Sequence, residues 1–265
     1  MIERLKNTRL FLFDMDGTLY LGDRLFSFTN ELLKTIKEIG GRYLFMTNNS
    51  SKSVADYIKK LERLGISADY DDFITSSQAT AYYLKKHYPN CRIYVCGTQS
   101  LKDELKENGF YITESTQDAE CIVMGFDTEL TFKKLYDVSL MLSTRDIPYI
   151  ATNPDYVCPT EFGSVPDCGS VCDMIYNATK KRPIFIGKPQ PLMPLLAIKK
   201  TGFKKSETAV IGDRIYTDVL SGINSGITSV LVLSGESDEN TLRESDIKPD
   251  IVLKNCSEII TLLKE

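Results

Sequence analysis

Short runs of consecutive apolar residues alternate along the chain with longer stretches whose apolar positions recur every three or four residues, the pattern of a parallel sheet covered by helices. Leu10–Phe13 is apolar at every position and stops at Asp14, which predicts a strand buried on both faces. A helix follows, capped near Thr29, with Leu32, Leu33, Ile36 and Ile39 on one face and Gly40 and Gly41 at its end. Residues 43–46 predict a second strand with Thr47 at its carboxyl end, and residues 53–64 an amphipathic helix that aligns Val54, Ile58 and Leu61. Later core strands are predicted at 185–186, 209–211 and 229–233.

About 140 residues separate Thr47 from Lys188, more than one strand-to-strand crossover needs. This stretch carries its own series of strands, at 93–96, 122–124 and 149–151, with helices around 101–106 and 132–142. The expected fold is therefore α/β, a Rossmann-like parallel-sheet core at 1–81 and 182–265 with an α/β domain inserted at 82–181. No long Gly/Ser tract joins the two, so short strands or hinge loops are expected there.

A net charge of −4 over 265 residues gives no electrostatic reason to expect a nucleic-acid polymer or an anionic membrane as partner. The first apolar run is too short for a signal peptide or a membrane span, so a cytoplasmic location is expected. Seven cysteines form no CxxC pair and there is a single histidine, which makes a Cys/His zinc site hard to assemble. Cys168 and Cys172 lie at helical i, i+4 spacing and read as small side chains of one helix rather than a redox pair.

The sharpest local signal is Asp14-Met15-Asp16-Gly17-Thr18, directly after the first buried strand. A turn starting at Asp14 lets both carboxylates face one pocket, and Gly17 permits the tight geometry. A turn capped by aspartates is the competing structural reading. The chemical reading gives the two acids different work. Asp14 attacks phosphorus to form an aspartyl phosphate, while Asp16 protonates the leaving alkoxide and then takes a proton from water. A carboxylate approaching a phosphate dianion is repelled, so magnesium held by Asp14, the Asp16 carbonyl and a further acid is expected.

Three other segments follow predicted strands. Thr47-Asn48-Asn49-Ser50 offers a hydroxyl and backbone amides to a phosphate oxygen, and Lys188 in Gly187-Lys188-Pro189 supplies positive charge. Gly212-Asp213-Arg214-Ile215-Tyr216-Thr217-Asp218 offers Asp213 as a metal ligand, with Asp218 placed to orient a metal-bound water or to pair with Lys188.

In order, these segments resemble the four signature motifs of the haloacid dehalogenase superfamily, and their spacing is similar to the nitrophenylphosphatase-like branch with a large α/β cap between motifs two and three. The stretches 47–50, 151–163 and 186–191 extend the likeness over nearly the whole chain. The resemblance implies a magnesium-dependent phosphatase of small phosphomonoesters, with Asp14 as nucleophile and Asp16 as acid/base. It further implies Thr47, Asn48 and Lys188 as phosphate binders, and Asp14, Asp16 and Asp213 as magnesium ligands. Asp218 matches the second acid of motif four, and relatives with such caps often pair through them, which makes a homodimer the expectation. Where relatives often carry a glycine-rich turn this chain has Pro166-Asp167-Cys168-Gly169-Ser170, so Asp167 and Cys168 are expected to bear on substrate choice. A phosphotransferase or phosphomutase would use the same motifs. A receiver-like phosphoacceptor module fits less well, because its acceptor ends a middle strand and it has no use for a cap.

Overall fold

The computed structural model describes residues 2–160 and 162–265; Met1 and Glu161, the latter within the stretch 151–163, lie outside them. Its strands in chain order are β1 (Leu10–Phe13), β2 (Tyr20–Leu21), β3 (Arg24–Leu25), β4 (Arg42–Thr47), β5 (Phe73–Thr75), β6 (Arg92–Cys96), β7 (Tyr111–Ile112) and β8 (Cys121–Met124). They continue with β9 (Tyr149–Ala151), β10 (Val157–Thr160), β11 (Gly163–Pro166), β12 (Ile184–Phe185), β13 (Thr208–Gly212), β14 (Thr228–Val232) and β15 (Ile251–Leu253). The chain folds into two compact units, one of Met1–Thr47, Tyr57–Ile74 and Lys188–Glu265, the other of Asn48–Asp56 and Thr75–Gly187. Among the described residues no helix is long and apolar enough to cross a membrane.

The first unit is built on a six-stranded sheet in the order β15-β14-β13-β1-β4-β5, with β1 paired in parallel to both β13 and β4. Every residue of β1, β13 and β14 is buried, as a parallel sheet covered on both faces requires. Each fully buried Phe or Leu of this layer contributes roughly 2 kcal/mol of hydrophobic stabilisation. The register sets Phe13 level with Phe45 on one side and Ile211 on the other. Asp14 therefore leaves the sheet one residue beyond this row, and Thr47 and Asp213 two residues beyond it. Three adjacent strand ends thus deliver three of the predicted residues to one edge of the sheet.

Local structure departs from expectation at one point in this unit. Thr29 is the first residue of the helix Thr29–Glu38, not its cap; its hydroxyl donates to the carbonyl of Leu19 at 2.6 Å and ties the helix to the β2–β3 hairpin. The helix after β4 is Val54–Arg63, inside the expected range 53–64, and residues 48–53 form the loop before it.

The second unit holds a five-stranded parallel sheet in the order β12-β9-β8-β6-β7. The strand expected in the first sheet near residues 185–186 is instead β12 of this one, where Ile184 and Phe185 pair with Ile150 and Ala151. The second unit is accordingly wider than residues 82–181. It takes in the helix Ser76–His87, whose cap Thr75 accepts from the Gln78 amide while the Gln78 side chain accepts from the Thr75 amide.

Within the helix Gln99–Glu107 the inward positions are Leu101, Glu104 and Leu105, so a carboxyl group is packed where an apolar residue is usual. Its Oε1 is buried with no hydrogen-bond partner, and burial, assisted by the nearby charge of Glu107, pushes the Glu104 carboxyl up to about 7 from 4.5. A carboxyl raised in this way stabilises the fold fully below pH 4.5, and that contribution is lost as pH rises through about 7. Glu104→Gln should therefore flatten the fall in stability between pH 5 and pH 8, a difference on the order of 2–3 kcal/mol in urea unfolding. Equal pH slopes for the two proteins would contradict it.

Candidate active site

The centre of the site is a buried ammonium. Lys188 Nζ lies 2.7 Å from Asp14 Oδ1 and 2.6 Å from Asp218 Oδ1, and donates to the Met46 carbonyl at 3.2 Å. Burial opposes its charge, but the carboxylates of Asp14 and Asp218 outweigh that and hold the amine protonated well above the ordinary lysine range. Removing the lysine would leave two largely buried carboxylates without a counter-charge, a loss of roughly 3–5 kcal/mol.

Asp218 is positioned by a turn of π-helix, Ile215–Val219, that follows β13. Its second oxygen accepts from the backbone N–H of Arg214 at 3.1 Å, so both of its oxygens are engaged. A side chain at Gly212 could not coexist with it, since an added Cβ would sit 2.2 Å from the Asp218 carboxyl carbon.

Asp213 is enclosed differently. Its Oδ2 accepts from the backbone N–H of Glu236 at 2.7 Å, while its Oδ1 is buried with no hydrogen-bond partner. A Cβ at Gly17 would stand 2.3 Å from Oδ2 and one at Gly235 2.0 Å from it, so two glycines clear the space this carboxylate fills. Gly17 also has φ +81°, which favours glycine independently. The segment 234–237 was not foreseen from the sequence. The signal was present, a glycine just beyond the apolar run of β14, but strand-end glycines are too common to single out. Arg214 Nε closes the arrangement on Glu236 Oε2 at 2.8 Å.

Carboxylate oxygens of Asp14, Asp213 and Asp218 lie within 4.8 Å of one another, the only such acidic group among the described residues. Burial first, then the charges of Asp14 and Asp218, push the Asp213 carboxyl up to about 8. Three carboxylates and one ammonium leave an excess of negative charge beside an unpartnered buried oxygen. That donor set fits a hard divalent cation, which prefers oxygen ligands.

Asp16 sits outside this cluster. Its half-exposed carboxylate accepts from the Gly22 N–H at 3.2 Å and lies 3.9 Å from Lys60 Nζ, and burial raises its carboxyl above the ordinary aspartate value against the lowering by Gly22 and Lys60. Thr47 ends β4 and is buried. Asn48 belongs to the second unit, where its Nδ2 donates to both carboxylate oxygens of Asp155, at 3.1 and 3.2 Å. The side chains of Asp167 and Cys168 do not reach solvent. Asp167 caps the helix Cys168–Thr179, and Cys168 is fully buried in a core cluster with Cys96, Met124 and Cys172. Capping and packing are the contacts these two side chains make within the second unit.

Haloacid dehalogenase-like hydrolase domains match residues 11–111, and a related hydrolase domain of the same kind matches residues 185–259. An acid sugar phosphatase of Staphylococcus epidermidis is 31% identical over 98% of this chain and 100% of its own length. The chain belongs to the haloacid dehalogenase-like hydrolases. A 5'-nucleotidase of Bacillus subtilis, YutF, is 32% identical over 97% of this chain and 99% of its own. The crystal structure of a 4-nitrophenylphosphatase from Thermotoga maritima superposes with a TM-score of 0.94 at 39% identity, covering 98% of this chain and 99% of that one. Within the haloacid dehalogenase-like hydrolases this places the chain among the phosphatases of the nitrophenylphosphatase branch, enzymes that use a divalent metal ion.

Gly235→Ala should displace the Asp213 carboxylate and lower kcat/KM for 4-nitrophenyl phosphate at least tenfold while the far-UV spectrum is retained. Asp167→Ala should cost about 1 kcal/mol of stability through the lost cap, read by urea unfolding. Full activity in the glycine variant, or unchanged stability in the aspartate variant, would reverse these assignments.

Proposed function

We propose that the protein hydrolyses small phosphomonoesters through an aspartyl phosphate on Asp14, with magnesium as its metal. The observation that carries this reading is the unpartnered buried oxygen of Asp213 beside Asp14, with Lys188 bridging Asp14 and Asp218. Asp14, the Asp16 carbonyl and Asp213 would hold the ion. When bound, magnesium lowers the repulsion between a carboxylate and a phosphate dianion.

The chain's own residues perform the rest. An oxygen of Asp14 attacks phosphorus as the bond to the leaving oxygen breaks, and the Asp16 carboxyl gives its proton to that oxygen. Asp16, now ionised, takes a proton from water, which attacks the phosphoryl group and regenerates Asp14 as phosphate departs. Lys188 keeps Asp14 oriented and offsets negative charge on the phosphoryl oxygens, with the Thr47 hydroxyl as a further donor. Asp218 keeps Lys188 in place through the ion pair on its other side. Sugar phosphates and nucleoside monophosphates are the substrate classes favoured by the curated relatives, and a phosphomonoester panel ranked by kcat/KM would choose between them.

Asp14→Asn should abolish turnover in a folded protein, since an amide is a poor nucleophile of nearly the same shape. Wild-type enzyme should release inorganic phosphate and alcohol at equal rates, lose activity in EDTA, and regain it with Mg²⁺ but poorly with Ca²⁺, whose longer bonds loosen the site. Activity that survives chelation would refute the metal, and turnover by an Asp14→Asn preparation free of deamidated protein would refute the nucleophile.

A further inference from the structure

Asp16 has to receive and deliver a proton from one position, yet its side chain is 53% exposed and its two torsions could carry the carboxylate into solvent. Two groups restrain it. The Gly22 N–H, on the turn between β2 and β3, donates to Oδ1. On the other side Lys60, from the helix Val54–Arg63, places its ammonium 3.9 Å from Oδ2.

The chemistry of that second contact differs from the first. At 3.9 Å the ammonium is beyond hydrogen-bond reach, so it attracts Oδ2 without occupying the lone pair that must carry the proton. Lys60 is itself held in place: its side chain is only 16% exposed and its Nζ stands 4.3 Å from the centre of the Tyr20 ring. Tyr20 belongs to β2, and its carbonyl accepts from the Gly17 N–H at 2.7 Å, so the lysine is referenced to the same turn that presents Asp16. Its neighbour Lys59 is exposed, as a lysine on an amphipathic helix ordinarily is.

We infer that Lys60 is a positioning residue for proton transfer, fixing the Oδ2 face of Asp16 toward the leaving group. This rests on the reading of Asp16 as the acid of the first step. The consequence is selective: an alkoxide must be protonated as it leaves, whereas 4-nitrophenolate departs with little help. Loss of Lys60 should therefore harm alkyl phosphates far more than 4-nitrophenyl phosphate, which simple loosening of the hairpin would not do.

The experiment measures kcat/KM, which reports transfer to Asp14, for glycerol phosphate, a hexose phosphate and 4-nitrophenyl phosphate. It compares wild type, Lys60→Met, Lys60→Gln, Lys60→Arg and Asp16→Asn, each checked for folding by thermal unfolding. The neutral variants should lose tenfold or more on the alkyl substrates and less than threefold on the aryl one, Lys60→Arg should recover most of the alkyl activity, and Asp16→Asn should show the same selectivity more strongly. Selective loss in Asp16→Asn with uniform loss in folded Lys60→Met and Lys60→Gln would overturn the role of Lys60 and leave that of Asp16 standing. Uniform loss in Asp16→Asn would remove the acid, and this inference with it.

Discussion

The first unit is organised around one electrostatic constraint, the crowding of Asp14, Asp213 and Asp218 within 4.8 Å at a largely buried sheet edge. Three such carboxylates cannot all ionise in a medium of low polarisability without compensating charge. The Lys188 ammonium supplies one positive charge and spends it on two of them, Asp14 and Asp218. The cost of the crowding falls on Asp213, the acid pushed furthest toward its neutral form, whose buried Oδ1 has no hydrogen-bond partner. The same charge balance suits a phosphate dianion only when a divalent cation is present, so substrate and metal are linked by electrostatics before any detailed contact is considered.

Such crowding needs backbone support that a loop cannot give. The sheet order puts β1 between β13 and β4, and the level register of Phe13, Phe45 and Ile211 turns three strand ends into one platform. Close approach then depends on what is missing. Gly17 and Gly235 vacate the volume taken by Asp213, and Gly212 that taken by Asp218. Buried apolar strands supply the stability that holds like charges together, and hydrophobic packing on both faces of β1 is thereby coupled to the chemistry at its end.

Much of this was legible in the sequence because its carriers are local. An apolar run followed at once by Asp-x-Asp-Gly reports both a buried strand and the acids at its end, and the same holds for Asp213 after β13. Thr47 and Lys188 were readable for the same reason, although the strand before Lys188 belongs to the other sheet. Period alone says that the chain near residues 185–186 is extended; it does not say which sheet gains the pairing. Thr29 was misread as a cap because a hydroxyl at a helix start can serve either the helix or a distant carbonyl, and the Leu19 carbonyl won. Asp167 and Cys168 stood out as departures from a family pattern, but that one caps a helix and the other packs in a core is a matter of tertiary contacts that the pattern does not carry.

Residues that tune the reaction are harder to read than those that carry it, for a reason visible in Lys59 and Lys60. On an amphipathic helix two adjacent lysines are equivalent in composition and in propensity, and each is ordinarily a solvated charge. What separates them is a rotation of about 100° around the helix axis. It sets Lys59 in water and lays Lys60 along Tyr20 with its ammonium facing Asp16. That difference exists only once helix and hairpin have been brought together. Strand ends thus fix which groups meet at the sheet edge, while a packed helix fixes how a neighbouring group is held, and only the first of these leaves a short pattern in the sequence.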